Sequence, residues 1–212
     1  MSPPRAAYHL EARAWRAGVT WIAGVDESGR GPLAGPVVAA AVVIPPDRRI
    51  RGLADSKLLT PEAREALYRV IVARAAVGVG VVDHETIDRV NILRATQLAM
   101  QEALRRLPVA PELVITDFVP VPDVPCPQRN LVDGDARCAS VAAASIVAKV
   151  TRDRIMLEAD REYPVYGFAR HKGYATPEHL AALDRYGPCP LHRRTFAGVW
   201  RQGALFVLED ED

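Results

Sequence analysis

Acidic residues stand where several apolar segments of the sequence begin or end, and acids so placed can hold a metal ion. Asp26 and Glu27 close one apolar segment, Asp117 closes another, and Asp135 precedes a long third one. Sites in open α/β sheets form beyond the strand ends, so these positions can converge although they are far apart in sequence. Gathered carboxylates repel one another and raise one another's pKa unless cations lie among them. Oxygen ligands favour Mg²⁺ or Mn²⁺, and two such ions can activate a water for phosphodiester cleavage.

Each acid also has an ordinary structural explanation, which residue types alone leave open. Asp135 can cap the helix that begins a few residues later, and Asp117 can start a turn into the proline-rich segment. Strand alternation points Asp26 and Glu27 to opposite faces, so both reach one site only if Glu27 has already entered the turn.

The glycine-rich stretch "ESGRGPLAGP" follows the first acid. It matches neither the dinucleotide-binding fingerprint nor the P-loop, which counts against both of those classes. Glycines on both sides of Arg30 would let this backbone approach a sugar or phosphate closely, and Arg30 could contact a phosphate. A tight turn with a solvent-facing arginine is the alternative explanation.

Hydrophobic periodicity predicts the elements that must position these residues. Strands are predicted at 21–27, 35–45, 77–83 and 112–117, the first two as an antiparallel hairpin. Helices are predicted from Thr60, from about Glu85 to Pro108 with a break near Asn91, at 139–163 and at 176–187. Four prolines between 120 and 127 predict an extended connector, and "RNLVDGD" predicts a strand end or turn. This order indicates a layered α/β domain with a helical C-terminal part.

Composition limits the class of protein. A chain of 212 residues with 49% hydrophobic and 25% charged residues is typical of one soluble domain, with room for a small appendage. The sequence contains no run of ~18 apolar residues and no apolar segment typical of a secretory signal at its start, so neither a membrane span nor secretion is expected. Three cysteines without C-x-x-C spacing fit neither a disulfide framework nor a zinc site. A cytoplasmic location is therefore expected.

The net charge of +1 conceals an uneven distribution. Residues 1–135 carry 16 basic and 16 acidic side chains, whereas residues 136–201 carry 11 basic and 6 acidic ones, and the last eleven residues add four acids. A basic C-terminal half is thus masked by an acidic tail. A solvated face explains the excess, and so does a polyanionic partner.

Six blocks occur in order between residues 20 and 200: "GVDESGRGPLAGPVVAAAVV", "DSKLL", "NIL", "GD", "AASIVAKVTRD" and "YGFARHKGY". In sequence and order they resemble the signature blocks of the ribonuclease HII family, the type 2 ribonucleases H. The resemblance implies an α/β, RNase H-like fold, a mixed five-stranded sheet flanked by helices, with a helical C-terminal extension. We expect an N-terminal segment at 1–18, helical or flexible, a catalytic domain at 19–205, and an acidic disordered tail at 206–212.

The resemblance also implies an activity. It predicts a metal-dependent endoribonuclease that hydrolyses the RNA strand of RNA–DNA hybrids and incises 5′ to ribonucleotides embedded in duplex DNA, leaving 3′-OH and 5′-phosphate ends, as ribonucleotide excision repair requires. Two Mg²⁺ or Mn²⁺ ions would be held by Asp26, Glu27, Asp117 and Asp135 in a monomeric cytoplasmic enzyme. A DNA nuclease of the same superfold, resolvase-like or transposase-like, and a catalytically inactive hybrid-binding module remain alternatives, although the intact acids argue against the latter.

Substrate contacts follow from the same resemblance. Family members use the G-R-G backbone to detect a ribose 2′-OH, which implies Gly29, Arg30 and Gly31, and their H-K-G-Y tyrosine packs near the sugar on the DNA side, which implies Tyr174. Lys57 of D-S-K is similar to a family residue near the substrate backbone.

A further group of polar residues is predicted from helical spacing. Ser145, Lys149 and Arg152 would share one helix face, at positions i, i+4 and i+7, which suits phosphate contacts. An ordinary polar helix face is the alternative. Asp153 is a second candidate for the fourth acid, but an ion pair with Lys149 explains it adequately. His171 is expected to pack or to neighbour a phosphate, and a metal role is not expected because its neighbours are basic.

The sequence departs from the family pattern at two places. Phe118 follows Asp117 where the family commonly has glycine, and Cys138-Ala139 stands where many relatives have Val-Pro. The strand end and the helix entry are therefore expected to differ locally, while every acid is retained.

Overall fold

The computed structural model describes residues 6–200, which form one sheet and its surrounding helices. The strands are β1 (Ile22–Ser28), β2 (Val37–Val43), β3 (Ala76–Val82), β4 (Leu113–Asp117) and β5 (Gln128–Leu131). The helices within these residues are α1 (His9–Arg16), α2 (Pro61–Arg74), α3 (His84–Val90), α4 (Ile92–Arg105), α5 (Gly134–Arg137), α6 (Ala139–Glu162), α7 (Phe168–His171) and α8 (Pro177–Tyr186), with 3₁₀ turns at Ser56–Leu58 and Pro164–Tyr166. The predicted acidic tail at 206–212 lies outside the described residues.

The strands form a mixed sheet in the order β3-β2-β1-β4-β5. Strand β1 pairs antiparallel with β2, which confirms the predicted hairpin, and parallel with β4. Val25 of β1 lies opposite Thr116 of β4. The parallel pairing therefore brings the ends of β1 and β4, with their acids, to the same edge of the sheet.

Helices pack against both faces of the sheet. Alternate residues of β3 show this, because they pack against different helices. A Cβ at Gly78 would lie 2.1 Å from the Ala103 carbonyl oxygen of α4, and a Cβ at Gly80 would lie 2.0 Å from that of Ala99. Only glycine permits this close approach of helix to strand. The alternate residues Val77 and Val79 pack in the other direction, into a core cluster formed largely by α6.

The predicted helix starts and the predicted break are present. Thr60 Oγ1 accepts a hydrogen bond from the Ala63 N–H at 3.2 Å and begins α2. Asn91 adopts a φ of 67°, and its Oδ1 accepts from the Arg94 N–H at 3.1 Å, so it ends α3 and caps α4. The sequence did not predict the four-residue helix α7, since a single turn carries no periodicity.

The described residues divide into two compact units. Residues 6–30 and 36–152 form the first, which contains the sheet, and residues 31–35 and 153–200 form the second. The second unit has an apolar cluster of its own, which includes Met156, Phe168 and Leu183. Within residues 6–200, none of the helices has the length and hydropathy needed to cross a membrane.

Candidate active site

Asp26 and Asp117 lie side by side where the parallel pairing of β1 and β4 ends. Each follows directly after a register pair of β1 and β4. Asp26 is only 6% exposed; its Oδ1 accepts the Glu27 N–H at 2.8 Å, and its carboxylate is also hydrogen-bonded to Ser145. Burial, followed by the negative charge of Glu27, raises the pKa of Asp26 well above its ordinary value.

Glu27 joins this pair in a way that strand alternation did not predict. Strand β1 continues through Ser28, so Glu27 has not entered the turn. Burial nevertheless raises the pKa of Glu27 against the opposing influence of Arg30, and the charge of Asp117 raises it further. The Glu27 carboxylate therefore lies near enough to Asp117 for the two charges to repel.

Asp135 is joined to the same cluster by a short backbone link. Gly134 begins α5, and its N–H donates to Asp117 Oδ1 at 2.9 Å. Asp135 is 5% exposed, and burial together with the charges of Asp55 and Asp117 raises its pKa to about 6. The charge of Asp117 thus acts on each of the other three predicted acids, Asp26, Glu27 and Asp135.

A fifth acid, Asp55, was not singled out from the sequence, although it begins the "DSKLL" block. Its carboxylate accepts the Lys57 N–H at 2.9 Å and so starts the first 3₁₀ turn. The Lys57 ammonium lies 4.0 Å from Asp135 Oδ2. Partial burial disfavours the charged ammonium, but the charges of Asp55 and Asp135 outweigh it, and the pKa of Lys57 is raised. Lys57 therefore supplies positive charge beside the acids.

The acids lie near one another but do not form a complete metal-binding site within the described residues. Within residues 6–200, no three His, Cys, Asp or Glu side chains are grouped so that they could hold an ion as they stand. The donor chemistry nevertheless fits a hard divalent cation, because every candidate ligand is a carboxylate. Glu27 Oε2 is buried and has no hydrogen-bond partner in the part of the chain that the structure describes. A bound cation would satisfy that oxygen and offset the repulsion among the acids.

Comparison with known proteins decides the family. The family model described as ribonuclease HII matches residues 23–199. The chain belongs to the ribonuclease HII family. It is 57% identical to the ribonuclease HII of Geobacillus kaustophilus over 190 residues, which cover 89% of this chain and 73% of that protein. Membership makes the chain a metal-dependent endoribonuclease, an enzyme that hydrolyses phosphodiester bonds.

Solved structures agree with the predicted fold. The crystal structure of ribonuclease H2 from Pyrococcus horikoshii is similar with a TM-score of 0.71 and 29% identity, over 84% of this chain and 95% of that one. Bst-RNase HIII, solved in complex with Mn²⁺, is similar with a TM-score of 0.70 and 21% identity, over 88% of this chain and 70% of that one. The mixed five-stranded sheet with flanking helices is thus the RNase H-like fold that the sequence predicts.

The glycine loop of this ribonuclease HII chain is tightly built. Gly29 is buried with a φ of 99°, and a Cβ there would lie 2.1 Å from Arg152 Nε, so only glycine fits. Arg30 Nη1 donates to Glu27 Oε1 at 3.2 Å, which directs this arginine to an acid of the site. Gly31 is exposed, and within the second unit a Cβ on it would lie 3.9 Å from Tyr174 Cε1. Tyr174 itself is 42% exposed.

Ser145, Lys149 and Arg152, predicted to share one phosphate-binding face of a helix, are not all exposed in the structure. Ser145 is buried; its hydroxyl lies 2.9 Å from that of Ser56, and it is hydrogen-bonded to Asp26. Arg152 is also fully buried, and its Nε donates to the Pro36 carbonyl at 2.9 Å. Lys149 retains partial exposure. Because two of the three side chains face the interior, one helix face of phosphate ligands is not formed; Ser145 supports an acid and Arg152 supports the glycine loop.

Both departures from the family pattern have local structural consequences. Phe118 adopts a φ of 55°, the left-handed region in which glycine is favoured, and its side chain is 69% exposed. Glycine adopts this conformation without strain, which explains the preference for glycine at position 118 that the family pattern indicates. Cys138 is buried at the start of α6, where its Sγ donates to Glu11 Oε1 at 3.2 Å. The sequence offered no signal for the role of Glu11, because the two residues are 127 positions apart.

Proposed function

We propose that this enzyme hydrolyses the RNA strand of RNA–DNA hybrids and incises duplex DNA on the 5′ side of embedded ribonucleotides, leaving 3′-OH and 5′-phosphate ends. The observation that carries the proposal is the gathering of Asp26, Glu27, Asp117 and Asp135 at the sheet edge from which the Gly29-Arg30-Gly31 loop departs. A hydrolytic site continuous in sequence with a 2′-OH-sensing backbone suits cleavage at a ribose, and this activity suits ribonucleotide excision repair.

Two divalent ions, when bound, would activate the attacking water and stabilise the leaving oxygen. Other residues of the chain orient the carboxylates that would hold these ions. The Glu27 N–H and the Ser145 hydroxyl orient the Asp26 carboxylate, and the Gly134 N–H orients that of Asp117. Lys57 lies beside Asp135, and its positive charge opposes the rise in the pKa of that carboxyl.

Recognition of the target sugar would come from backbone and ring contacts. The 2′-OH is the only chemical mark that distinguishes a ribonucleotide in DNA, and it can both donate and accept a hydrogen bond. We assign its detection to the Gly29-Arg30-Gly31 backbone and the neighbouring sugar contact to Tyr174. Lys57 and Lys149, with the exposed basic residues between 136 and 200, would contact phosphates, so binding should weaken as salt concentration rises.

We further propose that Mg²⁺ or Mn²⁺ serves as the cofactor, which the carboxylate-only donor set and the Mn²⁺ complex of the similar Bst-RNase HIII support. We also propose a monomeric protein and a cytoplasmic location, and the three free cysteines Cys126, Cys138 and Cys189 support the location. Light scattering of the purified protein measures the first of these properties, and a dimer mass would contradict it.

The test uses a DNA duplex with one ribonucleotide, an RNA–DNA hybrid and an all-DNA duplex, each incubated with Mg²⁺, Mn²⁺ or a chelator. Cleavage of the first two, on the 5′ side of the ribonucleotide and only with metal, is expected. Asp26→Asn should lower kcat by at least about 10²-fold, while the matched control Asp153→Asn should keep wild-type activity. Equal cutting of the all-DNA duplex would indicate a DNA nuclease, and binding of hybrids without cutting would indicate an inactive module.

A further inference from the structure

Three of the chain's five histidines are buried together in the second unit. His171, His179 and His192 are 8%, 0% and 1% exposed. The rings of His171 and His179 stack with centroids 4.5 Å apart, and those of His179 and His192 are 5.2 Å apart. Buried imidazoles need partners for both ring nitrogens, so their hydrogen bonds reveal which nitrogen carries the proton.

The protonation of this histidine cluster can be derived starting from Cys189. The Cys189 N–H donates to His192 Nδ1 at 3.0 Å, and it lies nearer than Cys189 Sγ at 3.1 Å and the Cys189 carbonyl oxygen at 3.3 Å. A backbone N–H can only donate, so His192 Nδ1 accepts and its proton is on Nε2. His192 Nε2 lies 3.0 Å from His179 Nε2 and therefore donates to it. His179 then carries its proton on Nδ1, which lies 2.9 Å from the Tyr174 carbonyl oxygen.

The remaining contacts agree with neutral rings. His171 Nδ1 accepts the Gly173 N–H at 3.2 Å, and its Nε2 lies 2.7 Å from the Tyr166 carbonyl oxygen, to which it donates. Burial lowers the pKa of His179, and its hydrogen bond to Tyr174 only partly opposes that effect. The four groups from Cys189 through His192 and His179 to Tyr174 thus form one directional chain of hydrogen bonds, which we call the histidine relay.

The histidine relay ends on the backbone of the tyrosine that the proposed function places against the substrate sugar. The Tyr174 carbonyl also accepts the Thr176 N–H at 2.8 Å, so both of its lone pairs are engaged. The Tyr174 N–H donates to the His171 carbonyl at 3.0 Å. The peptide groups on both sides of Tyr174 are therefore held, while its ring stays 42% exposed beside Gly31.

We propose that His179 is a positioning residue for substrate recognition, acting through the donation from its Nδ1 to the Tyr174 carbonyl, and that His192 only fixes the tautomer of His179 that makes this donation possible. The relay fixes the Tyr174 backbone, and the fixed backbone presents the ring next to Gly31. This inference rests on the proposed function, in which Tyr174 and Gly31 contact the substrate.

Two amide substitutions at one position separate the two bonds of His179. The amide nitrogen of asparagine matches the position of Nδ1, so His179→Asn keeps the donation to Tyr174 and loses the bond to His192. The amide oxygen of glutamine matches Nε2, so His179→Gln keeps the bond to His192 and loses the donation to Tyr174. Steady-state cleavage of the single-ribonucleotide duplex should give His179→Asn a KM within about twofold of wild type. For His179→Gln it should give a KM raised about tenfold with kcat little changed.

Tyr174→Ala distinguishes failure of this inference from failure of the proposed function. A raised KM in Tyr174→Ala with an unchanged KM in His179→Gln, or equal KM values in the two His179 variants, overturns the relay alone. An unchanged KM in Tyr174→Ala overturns the substrate role of Tyr174 and the relay with it.

A measurement on the wild-type protein tests the relay even if a variant fails to fold. Nitrogen-15 NMR of histidine-labelled full-length protein at pH 7 should show His179 protonated at Nδ1 and His192 protonated at Nε2. A charged imidazole, or the opposite tautomer at either residue, would overturn the proposal.

Discussion

The Gly134 N–H donates to Asp117 Oδ1 across 2.9 Å, and this bond ties the end of β4 to the helix turn that carries Asp135. A Cβ at position 134 would lie 3.3 Å from Asp117 Cα and from the Thr116 carbonyl oxygen. The two acids are thus placed relative to each other by backbone atoms at close packing distance. Their separation is accordingly sensitive to one added methyl group.

Gly134→Ala should therefore lower kcat clearly and the melting temperature only slightly. The added methyl displaces the turn by a few tenths of an ångström, and displacements of this kind lower kcat by about threefold to tenfold, since ~1 Å can cost about 10²-fold. Asp117→Asn is the informative companion, because its Oδ1 still accepts the Gly134 N–H while the charge is lost. It should not lower the melting temperature, because it removes a charge that repels the neighbouring acids, and it should lose at least about 10²-fold in kcat. Wild-type kcat in Gly134→Ala would show that the turn tolerates the methyl group.

Asp135→Asn should stabilise the metal-free protein at alkaline pH. The pKa of Asp135 is raised from 3.8 to about 6, so the folded state holds a proton that the unfolded state has released. The free energy of unfolding of the wild type therefore falls as pH rises through this window, and the neutral asparagine avoids the loss. In chelator, the gain in melting temperature should be larger at pH 8 than at pH 5. Asp47→Asn, at an exposed position, is the control, and a gain independent of pH would contradict the assignment.

Phe118→Gly should raise stability. A non-glycine residue at a φ of 55° costs about 1 kcal/mol or more, and the 69% exposed ring recovers little by burial. After the larger chain entropy of unfolded glycine is subtracted, we expect a gain of about 0.5 kcal/mol in the free energy of unfolding, measured by urea titration. Val132, 64% exposed and without a positive φ, provides the control: Val132→Gly should destabilise. A lower urea midpoint for Phe118→Gly would be evidence that its ring makes a stabilising contact.

Glu11→Ala should destabilise the first unit. Glu11 is fully buried, and its Oε1 accepts from the Ser140 N–H at 2.8 Å, the Ser140 hydroxyl at 3.0 Å and Cys138 Sγ. Its removal leaves these donors unsatisfied at the start of α6, at a cost of about 2–3 kcal/mol. Urea unfolding should show the loss, whereas Glu62→Ala, in the exposed first turn of α2, should change stability by less than about 0.5 kcal/mol. Equal midpoints for the two variants would refute the capping role of Glu11.

Local chemistry made much of the fold predictable. Thr60 and Asn91 allowed the starts of their helices to be predicted, because a capping side chain accepts a hydrogen bond from an N–H three residues away. The β1–β2 hairpin could be predicted because two segments rich in β-branched residues flank a glycine-containing turn. The acids Asp26 and Asp117 stood at strand ends, where an open sheet gathers side chains. All of these signals act over a few residues or follow from general rules of sheet construction.

Contacts between distant segments decided the rest. Sequence spacing placed Ser145 and Arg152 on one polar helix face, but packing buried both and left Lys149 partly exposed. Asp55 could not be recognised as a neighbour of Asp135, nor His192 as a partner of His179, because neither pair shares an element. The sequence by itself determined which acids and which family were present. Only the tertiary structure decided which side chains support those acids and where each buried proton lies, because burial and hydrogen-bond partners are properties of the assembled neighbourhood.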